Sequence, residues 1–151
     1  MSDQLQQLID IESIKALKAR YFRGMDTKDW ATLASCFTED LVADFTEAPG
    51  MLAEGRDNYV SQISEILKDA TTIHHGHMPE IELIDAGTAT GLWAMDDIVQ
   101  LPDLLLQGWG HYHERYRKES GQWKISHIKL TRLRLLQNGE ETKLSRVSVR
   151  V

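Results

Sequence analysis

The spacing of apolar and polar positions changes period once along this chain, near residue 77, dividing it into a helical first half and a stranded second half. From about residue 3 to 24, Leu5, Leu8, Ile9, Ile14, Leu17, Tyr21 and Met25 recur close to helical spacing, with Lys15, Lys18 and Arg23 between them. This predicts an amphipathic helix. Gly24 weakens its end, and Asp26-Thr27 breaks it before a second helix from Asp29 to Phe37. Asp26 and Asp29 have the spacing of an N-cap and its partner three residues on. Leu41 to Phe45 fits a short strand and Pro49-Gly50 a turn; Gly55 leads into a third helix bearing Tyr59, Ile63, Ile66 and Leu67.

From His77 the period is two. Ile81 and Leu83 alternate with Glu80 and Glu82, and Asp85-Ala86-Gly87 is a turn. Thr88 to Val99 reads as a long strand whose Ala89, Gly91, Trp93, Met95, Asp97 and Val99 share one face. Two more strands follow, from about Leu106 to Lys118 and from Trp123 to Leu136, joined by Ser120-Gly121. In the last, Trp123 and Ile125 have odd parity and Ile128 and Leu130 even, so a bulge is expected near His127, and bulges bend a sheet. Helices first, then a meander of long strands, is an α+β order with the helices packed on one side of a curved, antiparallel-rich sheet.

Composition narrows the choice of partner. The 151 residues have no internal repeat, low-complexity tract or linker, so residues 1–151 are expected to form a single domain. A net charge of −6 argues against nucleic acid or an anionic membrane, and the run Lys129, Arg132, Arg134 is too short to reverse that. No apolar stretch is long enough to cross a bilayer, and Met1-Ser2-Asp3-Gln4 opens no secretory signal. The single cysteine, Cys36, cannot make an intrachain disulfide; a cytoplasmic location and a buried, inert thiol are expected.

Tyr21, Asp26, His74, Asp97 and Arg132 are the polar residues hardest to explain as solvated surface, and they come from several different elements, as active-site groups do. Each also has a bland reading. Tyr21 could be a core tyrosine, Asp26 a helix cap, His74 a loop histidine in His74-His75-Gly76-His77, and Asp97 the end of a strand. Asp97 is the sharpest signal, because it shares a face with Trp93 and Met95, and a carboxylate beside large apolar groups must be paired or functional. Arg132, in phase with Ile128 and Leu130, could be its inward partner, although parity places Arg134 equally well.

A metal centre is not expected. His74 and His77 are three apart and His111 and His113 share a face, but the carboxylate and late histidine that would complete a site are missing; Glu114 adjoins His113, Glu119 is six further on, and only His127 follows. No Gly-x-Ser-x-Gly elbow is present, and Gly108-Trp109-Gly110 lacks the third glycine of a dinucleotide fingerprint.

Tyr21-Phe22-Arg23-Gly24-Met25-Asp26, with Trp30, Leu33 and Phe37 beyond it, resembles the first-helix signature of SnoaL-like (NTF2-like) proteins. His74-His75-Gly76-His77-Met78-Pro79-Glu80-Ile81, then Thr88-Ala89-Thr90-Gly91, Trp93 and Asp97, closely resembles the bile-acid 7α-dehydratase branch, and Gly121-Gln122-Trp123, Ile125 and Arg132 continue the likeness. It covers the chain from about residue 10 to 135.

The resemblance implies a cone-shaped α+β barrel with its site in the mouth. The family's catalytic tyrosine, aspartate and histidine fall on Tyr21, Asp26 and His74, with supporting residues on Asp97 and Arg132 and His77 beside the substrate. Trp93 stands where the related scytalone dehydratase has a second histidine; it implies a more apolar wall and argues against scytalone as the substrate.

Three functional classes follow from the resemblance. The first is a cofactor-independent dehydratase of a hydroxylated, carbonyl-conjugated polycyclic compound, such as a steroid or bile acid, with a CoA thioester among the forms it could take. The second is an isomerase or cyclase using the same pair of residues. The third is a non-catalytic binding or structural module. In the enzymatic readings His74 is the base, Asp26 orients its ring and Tyr21 donates to the oxyanion. Trp109, Tyr112 and Tyr116 either supply aromatic surface on the sheet or line the pocket or the core; the first reading makes a homodimer or homotrimer the expectation.

Overall fold

In the computed structural model, which describes residues 3–144, helix α1 spans Asp3–Asp26 and buries Asp10, Ile14, Leu17, Lys18, Tyr21, Gly24 and Met25. Two expectations change here. Leu5, Leu8 and Ile9 are exposed, Leu8 to 61%, whereas Lys18 is fully buried. Helical phase explains both: at 3.6 residues per turn, Lys18 lies at the edge of the arc of Leu17, Tyr21, Ile14 and Met25, about 20° beyond Met25, and the three N-terminal residues lie on the far side. No helix of the described residues is long and apolar enough to cross a membrane.

The end of α1 is a Schellman closure. The Lys28 amide donates to the Met25 carbonyl at 3.3 Å and the Asp29 amide to that of Gly24 at 2.9 Å, with Lys28 at a positive φ of 60°. Such a φ disfavours a side chain, but the Lys28 ammonium is held at 2.7 Å by the Thr72 hydroxyl. Helix α2 follows, Trp30–Ser35, and its cap is Asp29, whose carboxylate accepts from the Thr32 amide at 3.0 Å. Asp26 therefore closes α1 and does not cap α2, which frees its carboxylate for other partners.

The remaining elements are β1 (Phe37–Asp44), β2 (Leu52–Glu54), α3 (Arg56–Leu67), β3 (Thr71–Leu83), β4 (Thr88–Leu101), β5 (Leu104–Glu119), β6 (Gln122–Gln137) and β7 (Glu140–Glu141). They form a seven-stranded sheet in the order β2-β1-β6-β5-β4-β3, with β7 on β6. Among the described residues only the β1–β6 pair is parallel. The result is the α+β cone expected from the resemblance: helices cover one face of a curved, unclosed, antiparallel-rich sheet. Strand β3 begins before His74, so that residue stands on a strand and not in a loop.

Curvature has a visible source. The β5–β6 register slips between Arg115 and Tyr116, leaving Ser126 extra beside His127, where the parity switch predicts a bulge. A second slip, between Trp109 and Gly110, leaves Leu133 extra and 72% exposed. Between the two bulges Ile128, Leu130 and Arg132 turn inward, and after the second Leu135 does. This phase gives Arg132, and not Arg134, to the concave face.

Candidate active site

The last turn of α1 carries Asp26 against β3. His74 Nδ1 lies 2.6 Å from Asp26 Oδ1, and the His74 amide donates to Oδ2 at 2.9 Å; the Thr72 hydroxyl adds a bond to Oδ1 at 2.9 Å. A carboxylate at a helix C-terminus faces the negative end of the helix dipole, and these donors offset that cost. Burial would raise the pKa of Asp26, but the bonds and charge of His74, with Thr72, outweigh it and hold the carboxyl below its ordinary range. An ionised carboxylate only accepts, so it fixes the proton on Nδ1 and leaves Nε2 as the basic nitrogen.

His74 is directly opposite Asp97 in the β3–β4 ladder; opposed residues have Cα atoms about 4.5–5.5 Å apart. Arg132 holds Asp97 through two parallel bonds of 2.6 and 2.9 Å, and this nearly buried fork extends the site from β4 over β5 to β6. Gly108 of β5 makes the fork possible, because a Cβ there would collide with Arg132 Nη1 and lie 2.5 Å from Asp97 Oδ1. The Nε atom of Arg132 is buried without an acceptor among the described residues. The walls are apolar. Phe22 stacks on the His74 ring with centroids 6.3 Å apart, and Trp93 and Met95 line β4 as the alternation predicts. Gly76 gives them room, since a Cβ would meet Phe22 at 2.8 Å and Trp93 at 3.1 Å.

Asp26, His74, Asp97, Arg132 and Trp93 thus share the concave side; two other expectations do not hold. His77 is on the outer face, its Nε2 2.5 Å from Asp96, which also meets His75. The period-two geometry of a strand demands this, for a residue three along from His74 points the other way. The surface reading of the three sheet aromatics holds for Trp109 alone, since Tyr112 and Tyr116 are each only 1% exposed and take the core reading. Tyr21 is on the inward stripe, but its hydroxyl is deeply buried and shares side-chain hydrogen bonds with Tyr59 and Tyr112; burial drives its pKa far up.

Beneath Tyr21 lies a network that the pattern did not announce. Lys18 and Glu114 form a fully buried ion pair. The Lys18 ammonium lies 3.6 Å from the ring centroid of Tyr112, 4.0 Å from that of Tyr21 and 4.7 Å from that of Phe22. Glu114 also accepts from the Tyr116 hydroxyl, which takes the Trp93 indole N–H at 2.9 Å. Glu114 has the strand parity of Tyr112 and Tyr116, and that parity was the available signal. Cys36 is buried, its thiol pushed up by desolvation, in keeping with an inert role.

This arrangement defines a class: an NTF2-like cone whose curved sheet carries a histidine–aspartate pair beside an aspartate–arginine fork. Residues 6–129 match the SnoaL-like domain family, and the chain belongs to that family. Among solved structures it is similar to the D26N form of Rv3472, a protein of unknown function from Mycobacterium tuberculosis. The two are 30% identical, with 89% of this chain and 78% of that one covered, at a TM-score of 0.77. A candidate scytalone dehydratase of Novosphingobium aromaticivorans shares the fold at 21% identity and a TM-score of 0.80, covering 98% and 99% of the two chains. So does a type 2 hexachlorocyclohexane dehydrochlorinase, at 18% identity and a TM-score of 0.80, covering 99% and 100%.

Proposed function

We propose that this protein is a cofactor-independent lyase that removes water from a hydroxylated substrate activated by a conjugated carbonyl. The observation that carries the reading is the Asp26–His74 bond of 2.6 Å on the concave face. His74 Nε2 takes a proton from the acidic carbon, and the C–H electron pair moves toward the carbonyl oxygen. As those electrons return, a C=C bond forms and the C–O bond breaks; the proton on His74 goes to the departing oxygen and water leaves. Asp26 stabilises the imidazolium between these steps. The buried Arg132 Nε–H lacks an acceptor among the described residues, and an oxygen brought by the substrate would relieve that cost, on the order of 1–3 kcal/mol. Elimination is also what the names of the dehydratase and dehydrochlorinase neighbours have in common. Phe22, Trp93 and Met95 suit an apolar ring system, which keeps a steroid or bile-acid-like substrate within the proposal.

The test is incubation with a panel of hydroxylated enones, read by the absorbance of the new dienone. The expected result is turnover by the wild type that falls by at least about a hundredfold in His74→Ala. Equal turnover by that variant, or none of the panel converted by the wild type, would overturn the assignment.

A further inference from the structure

Far from His74, a cleft of about 430 Å³ opens between the first half of α1 and the β5–β6 turn, a size within the ordinary range for ligand sites. It is about 24 Å along α1 from Asp26, at roughly 1.5 Å per residue between positions 10 and 26.

Asp10 lines it and is 95% buried. Its bonds are uneven. Gln6 at 3.3 Å, the Lys118 ammonium at 2.8 Å and the Trp123 indole at 2.9 Å all fall on Oδ1. Oδ2 of this cleft-lining carboxylate accepts none of these bonds. Burial would raise the Asp10 pKa, but those donors outweigh it and keep the group anionic. Two further acceptors stand on the rim. The Ser13 hydroxyl donates to the Ile9 carbonyl at 2.7 Å and that of Ser35 to the Thr32 carbonyl at 2.6 Å, so both hydrogens are committed and each cleft-lining oxygen is left to accept. Arg20 lines the same cleft, is exposed, and enters no ion pair among the described residues. Lys118 is neutralised by Asp10, so Arg20 leaves one uncompensated positive charge here, in a protein of net charge −6.

A cluster of acceptors beside one free guanidinium calls for a ligand rich in hydroxyl donors and bearing one negative charge. We propose that this cleft is a second ligand site, for a small polyhydroxylated carboxylate of the sugar-acid type. Its hydroxyls donate to Asp10 Oδ2, Ser13 and Ser35, and its carboxylate lies on Arg20. The site is independent of the lyase reading, and a failure of one leaves the other standing.

Calorimetric titration of the whole protein with D-gluconate tests it, with D-glucose and succinate as probes lacking the charge or the hydroxyls. Gluconate should bind saturably and at least about tenfold more tightly than either, since each lacks one charge-assisted or several neutral bonds. Arg20→Ala should weaken gluconate by about tenfold or more, Ser13→Trp should abolish binding by filling the cleft, and His74→Ala should leave it unchanged. Circular dichroism confirms that each variant is folded. No saturable gluconate binding, equal binding of glucose, or binding that survives Ser13→Trp overturns the proposal.

Discussion

The Glu114→Gln substitution puts a number on the buried pair beneath the site. The amide keeps the shape and an acceptor for Tyr116, but it leaves the Lys18 ammonium without a counter-charge among the surrounding ring faces. Burial already lowers the Lys18 pKa from its ordinary 10.5, against the opposing pull of Glu114. Once that pull is gone, Lys18 can escape its desolvation by releasing its proton. At pH 7 that costs at most about 1.36 kcal/mol for each of the roughly 3.5 pH units to 10.5, or about 5 kcal/mol. This agrees with the roughly 3–5 kcal/mol typical of breaking a buried pair.

The sign follows from the direction of the shift. A lysine whose folded pKa is depressed destabilises the fold below its unfolded pKa, and the penalty shrinks as pH rises toward it. At pH 9 the ceiling is therefore about 2 kcal/mol. Urea unfolding followed by tryptophan fluorescence at pH 7, 8 and 9 measures the difference from wild type. In thermal terms the loss at pH 7 is on the order of 10–20 °C for a chain of this size. A cost below about 1 kcal/mol at pH 7, or one that does not change with pH, refutes the reasoning.

Other expected outcomes bear on the site itself. Gly108→Ala places a methyl group within 2.5 Å of both Arg132 and Asp97; it should destabilise by about 1–3 kcal/mol and cut elimination turnover, and unchanged kcat/KM would contradict the role given to the fork. Asp26 is held below its ordinary 3.8, so its contribution to stability is complete above that value and is lost as pH falls through the lower folded pKa. The acid limb of the melting curve should thus be shallower in Asp26→Asn, and identical limbs would count against the pair. His77→Ala, on the outer face, should keep turnover within about twofold of wild type; a large loss would return His77 to the site.

Much of this architecture could be read from the chain, and the misses have definite physical causes. The parity of β4 announced Trp93, Met95 and Asp97 on one face, and the switch near His127 announced a bulge. A second bulge at Leu133 was not legible, because Arg132, Leu133, Arg134 and Leu135 alternate cleanly whether or not a residue is extra. It is that bulge which selects Arg132 over Arg134. His74 looked like a loop residue because β3 puts His75 and His77 outward and His74 and Gly76 inward, which erases the usual apolar alternation. The burial of the charges at positions 10 and 18 was not legible either, because nothing in the helical repeat distinguishes them from the solvated charges around them, although Asp10 falls on the buried arc and Lys18 at its edge. Only the strands that meet them, through Lys118, Trp123 and Glu114, supply their partners.

Those partners give α1 a further property. Asp10 is tied to β5 and β6 through Lys118 and Trp123, Lys18 to β5 through Glu114, and Asp26 to β3 through Thr72 and His74. The ties are eight residues apart, about 12 Å along the axis. An apolar stripe on a curved sheet tolerates small slides and rotations; an ion pair between two fully buried groups does not. The middle tie should therefore fix the helix whose last turn carries Asp26. The variant Lys18→Met with Glu114→Leu separates this from stability, since well-packed apolar replacements of a buried pair are often neutral or better. Its unfolding free energy should stay within about 3 kcal/mol of wild type, a limit set by the Tyr116 hydroxyl that loses its acceptor. The downfield proton NMR signal of the His74 Nδ1–H should nevertheless broaden or shift, and turnover should fall with kcat rather than KM. A stable double variant with both the signal and kcat unchanged would show that the apolar contacts alone hold Asp26 against His74.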